Sequence, residues 1–174
     1  VSEDIGSNST TSTSAGATTP SPSSLKSVIL KSGEMIIQQM QKGEYDEVLL
    51  ISAASGHLEM VKHMLNSGKC KIDKPGLKEL NALMEASTGG HLACVKELIN
   101  HGANVNAKTK QGNTALMYAC AMGYLEIVSE LVKHGADIDA QNVNGHTALM
   151  EAASAGHCDV AQFLVHKGCN MFVN

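Results

Sequence analysis

The sequence predicts an all-α solenoid of stacked helix-turn-helix units, and two observations carry that expectation. The first is a period of 33 to 34 residues. Leu83, Leu116 and Leu149 recur in phase, as do Gly56, Gly90, Gly123 and Gly156, and again Gly68, Gly102, Gly135 and Gly168. The second is the pattern inside the best copy, Gly112 to Ala140. Ala115, Leu116, Ala119 and Cys120 make one apolar stripe on a short helix. Leu125, Ile127, Val128, Leu131 and Val132 make a second, longer one. Gly123 and Gly135 fall where glycine ends a helix by taking positive φ without strain. One such pair cannot bury its own apolar face, so copies must stack.

Taken in order, residues 1–24 are rich in Ser and Thr, hold Pro20 and Pro22, and carry almost no large apolar side chains. Nothing there offsets the entropy of ordering, so a disordered tail is expected, with Thr19 and Ser21 as plausible phosphorylation sites. Residues 25–44 read as a degenerate half-repeat or as a separate capping helix carrying Met35, Ile36 and Met40. The first full repeat spans 45–75, with helices over Asp46–Ser55 and Leu58–Ser67. The second spans 76–109, and its connector Lys74–Glu79 reads as one residue longer, with Pro75-Gly76 as the turn signal. The third (110–142) is the most regular, and the fourth (143–174) stops before another repeat or a polar cap, which predicts that more chain follows. Thr114 and Thr147 sit where a hydroxyl would cap the first helix of repeats three and four.

Composition narrows the function. Aromatic residues make up only 3% of the chain, which suits helix stacking through small residues. The apolar runs are too short for a membrane span. The five cysteines form no C-x-x-C pair, and their odd number argues against a disulfide framework, so a reducing compartment is expected: the cytoplasm, with the nucleus as a second location. Residues 1–24 lack the apolar stretch of a secretory signal. All thirteen basic residues are lysine and the formal net charge is −4. Without arginine for bidentate contacts to phosphate or guanine, direct nucleic-acid binding is not expected.

Chemistry-bearing motifs are scarce. His57, His91 and His157 each follow the inter-helix glycine, with Tyr124 in the same place once. A residue repeating in phase reads as scaffold. His101 and His134 precede a helix-ending glycine, where a cation is favourable. His91 with Cys94 and His157 with Cys158 lack the paired spacing of a zinc site, so no metal and no cofactor is expected. No phosphate loop, nucleophile elbow or H-E-x-x-H helix is present, and no catalytic residues are assigned.

The positions that vary against the scaffold form the expected protein-binding surface, on the concave face and loop tips. They are Leu77, Lys78, Met84, Glu85 and Thr88; Lys110, Gln111, Asn113, Met117, Tyr118 and Met122; and Val143, Asn144, His146, Met150, Glu151 and Ser154. Met84, Met117 and Met150 form a regular stripe, read either as helix-packing residues or as an adaptable docking row with Tyr118.

The period and the T-x-L-x-x-A turn identify the chain as similar to ankyrin repeats, whose usual form is T-P-L-H-x-A. The expected fold is therefore an ankyrin-repeat solenoid. More narrowly, Asn113 to Tyr124 and Asn144 to His157 resemble consecutive early repeats of the large multiple-ankyrin-repeat, single-KH-domain (MASK-type) proteins, as does the Pro75–Lys78 connector. The chain departs from the common pattern: the proline of T-P-L-H is alanine, Glu79 replaces a turn glycine, and no G-x-x-G KH loop is present. The resemblance implies a non-catalytic scaffold or adaptor that binds other proteins, acts as a monomer, and belongs to a longer regulatory protein. An RNA-associated role would lie in a KH domain outside this chain. The resemblance also implies that Asn106, with Val105 before it and Leu98 eight residues upstream, meets the pattern of an asparaginyl-hydroxylation site; the alternative reading is that its amide only hydrogen-bonds the tight turn.

Overall fold

The structure is a computed structural model that describes residues 44–170. The expected tail (1–24), nearly all of the half-repeat or capping helix (25–44), and residues 171–174, including Phe172, lie outside that range. The described residues form eight helices and no strand: α1 (Tyr45–Ala54), α2 (Leu58–Ser67), α3 (Ala82–Thr88), α4 (Leu92–Asn100), α5 (Ala115–Met122), α6 (Leu125–Lys133), α7 (Ala148–Ala155) and α8 (Cys158–His166). They pack as two layers. The first helices α1, α3, α5 and α7 touch in succession, the second helices α2, α4, α6 and α8 do likewise, and each pair packs internally.

Local chemistry sets each boundary. Thr114 and Thr147 accept, through Oγ1, from the backbone N–H of Met117 at 3.3 Å and Met150 at 3.4 Å, while Asn81 accepts from Met84 at 2.9 Å. Each satisfies one orphan donor of a helix start. At the other end of α5, Gly123 adopts φ 77° in the left-handed region. His101 and His134 each use Nδ1 to donate to the carbonyl four residues back, at 3.0 and 2.9 Å, closing the last turns of α4 and α6.

The core runs the length of the stack. Leu83, Leu98, Leu116, Leu131 and Leu164 are at most 1% exposed, joined by Val61, Val95, Val128 and Val160. Between them lie alanines at matching positions: Ala82 and Ala86, Ala115 and Ala119, Ala148 and Ala152. These small residues bring the first helices of adjacent repeats close enough to bury the leucines beside them.

One expectation changes. The connector tip of repeat two is not longer than the others. Gly76 N–H donates to Leu80 O at 3.0 Å, Thr109 N–H to Asn113 O at 3.0 Å, and Asn142 N–H to His146 O at 3.0 Å, all in phase at 33 residues. The extra residue is Lys69, directly after the helix-ending Gly68. Chain length there is absorbed without disturbing the turn, because Lys69 is exposed and Cys70 Sγ reaches back to Met64 O at 3.3 Å.

Candidate protein-interaction face

The connector tips and the starts of the first helices form one face, cut by grooves between neighbouring repeats. Each tip is a turn closed three residues on: Glu79 N–H to Gly76 O at 2.9 Å, Gly112 to Thr109 at 2.8 Å, Gly145 to Asn142 at 2.9 Å. The fourth turn position is left-handed in all three, at φ 65° for Glu79, 79° for Gly112 and 78° for Gly145. Glu79 thus occupies a glycine position, the one non-glycine with positive φ among the described residues.

The groove between repeats three and four, about 280 Å³, gathers half of the residues expected in those two repeats. It is lined by Asn113, Met117, Tyr118, Ala121, Asn142, Asn144, His146 and Glu151. A polar network shapes it. Asn142 Nδ2 donates to Asn113 Oδ1 at 2.8 Å, and Asn142 Oδ1 accepts from the N–H groups of Asn144 and His146, both at 3.0 Å. Asn113 Nδ2 lies 3.5 Å from the Tyr118 hydroxyl, and His146 Nδ1 lies 3.2 Å from Glu151 Oε1. The groove therefore offers a phenol, an imidazole and a carboxylate side by side. Those groups suit hydrogen bonding to peptide groups and side chains; no nucleophile paired with a base stands among them.

The groove between repeats two and three, about 340 Å³, includes Leu77, Glu79, Met84 and Lys110 along its walls, and Lys110 Nζ pairs with Glu79. Leu77 is 99% exposed. A third depression joins Leu77, Lys78 and Glu85 to Leu50 and Ile51. Partial burial there raises the Glu85 pKa, with Lys78 opposing the shift. Gln111, Met122 and Val143 are exposed but line none of these three grooves.

Two expected surface residues are corrected. Met84 and Met117 are buried, at 2% and 3% exposure, whereas Met150 is 40% exposed. At matching positions the difference is the following repeat: α5 packs against α3, and α7 against α5, but among the described residues no further first helix stacks on α7. The first two thioethers are floor and core, not an exposed row. Asn142, by contrast, was not singled out by sequence, although it organises the groove. Its counterparts Thr109 and Gly76 share its turn position but not its amide, so the repeat pattern gives no sign of it.

Asn106 is exposed beyond α4, yet bonded at both ends of its amide. Oδ1 accepts from Asp137 N–H at 2.8 Å and Nδ2 donates to Gly135 O at 2.9 Å. Asp73 and Asp139 play the acceptor role one repeat away, toward the N–H groups of Asn104 at 3.0 Å and Asn170 at 2.7 Å. Each such side chain ties one repeat to the next.

His91 and His157 pack on the preceding repeat, each donating from Nε2 to a carbonyl there: Ala54 O at 3.1 Å and Ala121 O at 3.2 Å. Among the described residues, no group of three or more His, Cys, Asp and Glu is arranged to hold a metal ion. No described helix is long and apolar enough to cross a membrane. All five cysteines are free.

A family model for ankyrin repeats, in three copies, matches residues 49–142 and 110–174. Comparison with curated proteins gave no match.

Proposed function

The chain belongs to the ankyrin-repeat family, and from that premise we propose that it is a monomeric, non-catalytic adaptor that docks another protein across the grooves of its connector-tip face. Ankyrin repeats are generally protein-interaction modules and ankyrin-repeat proteins are typically non-catalytic scaffolds. The observation that carries the reading is the groove between repeats three and four. Its half-buried Tyr118 and its His146–Glu151 pair are non-scaffold groups held by a polar network that a solenoid core does not require. Aromatic groups placed this way tend to carry disproportionate binding energy.

Partners captured with the wild-type chain should be compared with those captured by a Tyr118→Ala, His146→Ala variant of unchanged helicity. The convex control is Glu126→Ala, whose side chain is exposed. Glu130 would be a poor control, because it sits within 4.0 Å of Lys96, Lys133 and His134. Partners lost with the groove variant and kept with the control support the reading. Equal retention by all three chains removes it.

The all-lysine basic set and net charge of −4 support a module that does not bind nucleic acid directly. Five unpaired cysteines support a reducing location, the cytoplasm with access to the nucleus. The resemblance of Asn113–Tyr124 and Asn144–His157 to MASK-type proteins supports a second reading, in which this array recruits partners for an RNA-associated regulator. A downstream G-x-x-G within a KH domain in the full reading frame would favour it.

A further inference from the structure

We propose that Asn144 is a site of spontaneous conversion to aspartate and isoaspartate, with the Gly145 backbone nitrogen as nucleophile, and that the Asn142 side chain is the brake on its rate. Asn144-Gly145 is the one Asn-Gly pair in the chain. Glycine leaves the attacking nitrogen unshielded, since it adds no side chain beside it. The space around Gly145 is open: a Cβ built there would meet nothing within 4 Å. Asn144 is exposed at the connector tip, and its side chain makes no hydrogen bond among the described residues.

Other asparagines differ on one count or another. Asn81, Asn106, Asn113 and Asn142 have their side chains engaged. Asn66 Oδ1 lies 3.2 Å from His101 Nε2, and Ser67 follows it. Asn100 is followed by His101, whose side chain stands beside the backbone nitrogen where Gly145 has none.

The reaction needs only water. Gly145 N loses its proton to solvent and attacks Asn144 Cγ. The Cγ–Nδ2 bond breaks, ammonia leaves, and a five-membered succinimide closes. Water then opens the ring at either carbonyl, giving aspartate, or isoaspartate with one extra methylene in the main chain. No redox step is involved. Holding nucleophile and carbonyl in one residue pair supplies the proximity that makes such a closure possible.

The fold restrains that closure. Gly145 N–H donates to Asn142 O at 2.9 Å, and Asn142 Oδ1 clamps the N–H of Asn144 and of His146 at 3.0 Å each. The clamp is anchored in turn through Asn142 Nδ2 on Asn113 Oδ1. For the nitrogen lone pair to reach Cγ, the Gly145 bond must open, so the rate is set by how firmly Asn142 holds the turn. The product places a new carboxylate in the groove beside His146 and Glu151. Its effect on partner docking rests on the function proposed above; the conversion itself does not.

The test is incubation of the purified full chain at physiological pH and temperature, followed by peptide mass spectrometry that separates aspartate from isoaspartate. The Asn144 peptide should convert fastest, with isoaspartate the larger product. Conversion of the Asn66 or Asn100 peptides at the same rate would overturn the site. Asn142→Ala should speed conversion at Asn144 several-fold with helicity retained, and an unchanged rate would overturn the brake. If Asn142→Ala disrupts the stack, Asn113→Ala removes the anchor, together with the contact to Tyr118, while leaving the Asn142 clamp in place, and should give a smaller acceleration; no acceleration from it overturns the brake equally.

Discussion

The imidazole of His157 fills the volume that a side chain on Gly123 would need. A Cβ built on Gly123 would lie 2.5 Å from Nδ1 of His157, while Nε2 of the same ring donates to Ala121 O at 3.2 Å. The interlock repeats along the stack: His91 sits 2.5 Å from the corresponding point on Gly56, and the Tyr124 ring 2.7 Å from that on Gly90. The ring is held by its carbonyl bond and cannot simply swing aside. Gly156, also left-handed at φ 80°, has nothing within 4 Å. Gly156→Ala should therefore cost about 1 kcal/mol of backbone strain. Gly123→Ala should cost about 2–4 kcal/mol, since overpacking adds to the same strain. Urea unfolding of the two variants decides it: equal midpoints would mean the ring contact contributes nothing.

This relationship also marks where sequence reading stops. The phase of Gly56, Gly90, Gly123 and Gly156 and of the residue after each was plain from spacing, and it identified a scaffold role for His91 and His157. Spacing alone did not say that each ring serves the glycine of the preceding repeat, because that contact crosses the stack. The same limit explains Met84 and Met117. Their period placed them on the first helices, but burial depends on what packs over them, and a periodic pattern reads the same in an inner repeat as in the last one. Asn142 escaped for the opposite reason. It breaks the period, and its importance comes from bonds to Asn113, Asn144 and His146 that only the folded connector brings together.

Glu79 holds a left-handed φ of 65° where the next two repeats have glycine. A side chain in that region costs about 1–2 kcal/mol. The ion pair with Lys110 is exposed and screened by solvent, so it offsets little of that cost. Glu79→Gly is expected to stabilise the chain by about 0.5–1 kcal/mol, visible as a raised thermal midpoint, and Lys110→Ala alone should be nearly neutral. A lowered midpoint for Glu79→Gly would show that the ion pair outweighs the strain.

Asn106 can be separated into its two halves by substitution. Asn106→Asp keeps the acceptor for Asp137 N–H, as Asp73 and Asp139 do in neighbouring repeats, but loses the donor to Gly135 O. The loss should be about 1 kcal/mol, and Asn106→Ala should cost about 1 kcal/mol more by orphaning both partners. If the two variants unfold together, the acceptor half contributes nothing. Hydroxylation of Asn106, which the ankyrin resemblance implies, would require both bonds to open first. It should therefore be slow on the folded chain and faster in the destabilised Gly123→Ala variant. The readout is the mass increment of one oxygen atom on the Asn106 peptide. Its absence with the hydroxylase co-expressed would leave Asn106 structural.

Chemical modification should read the stacking order directly. Met84, Met117 and Met150 share one position in successive repeats, yet are 2%, 3% and 40% exposed. Dilute peroxide acts on accessible thioethers, so Met150, together with Met122 at 47% exposure, should oxidise well before the other two. The cysteines give an independent scale. The thiolate is the reactive form, and burial disfavours it. Burial pushes the Cys120 pKa up to about 12 and raises that of Cys94, so both remain protonated thiols at neutral pH. Cys158 is exposed at the start of α8 and should be alkylated first. Cys120 should stay protected even when the pH is raised toward 9, because that is still well below its own titration. Oxidation of Met117 as fast as Met150 in a chain of full helicity would mean that α7 does not cover α5.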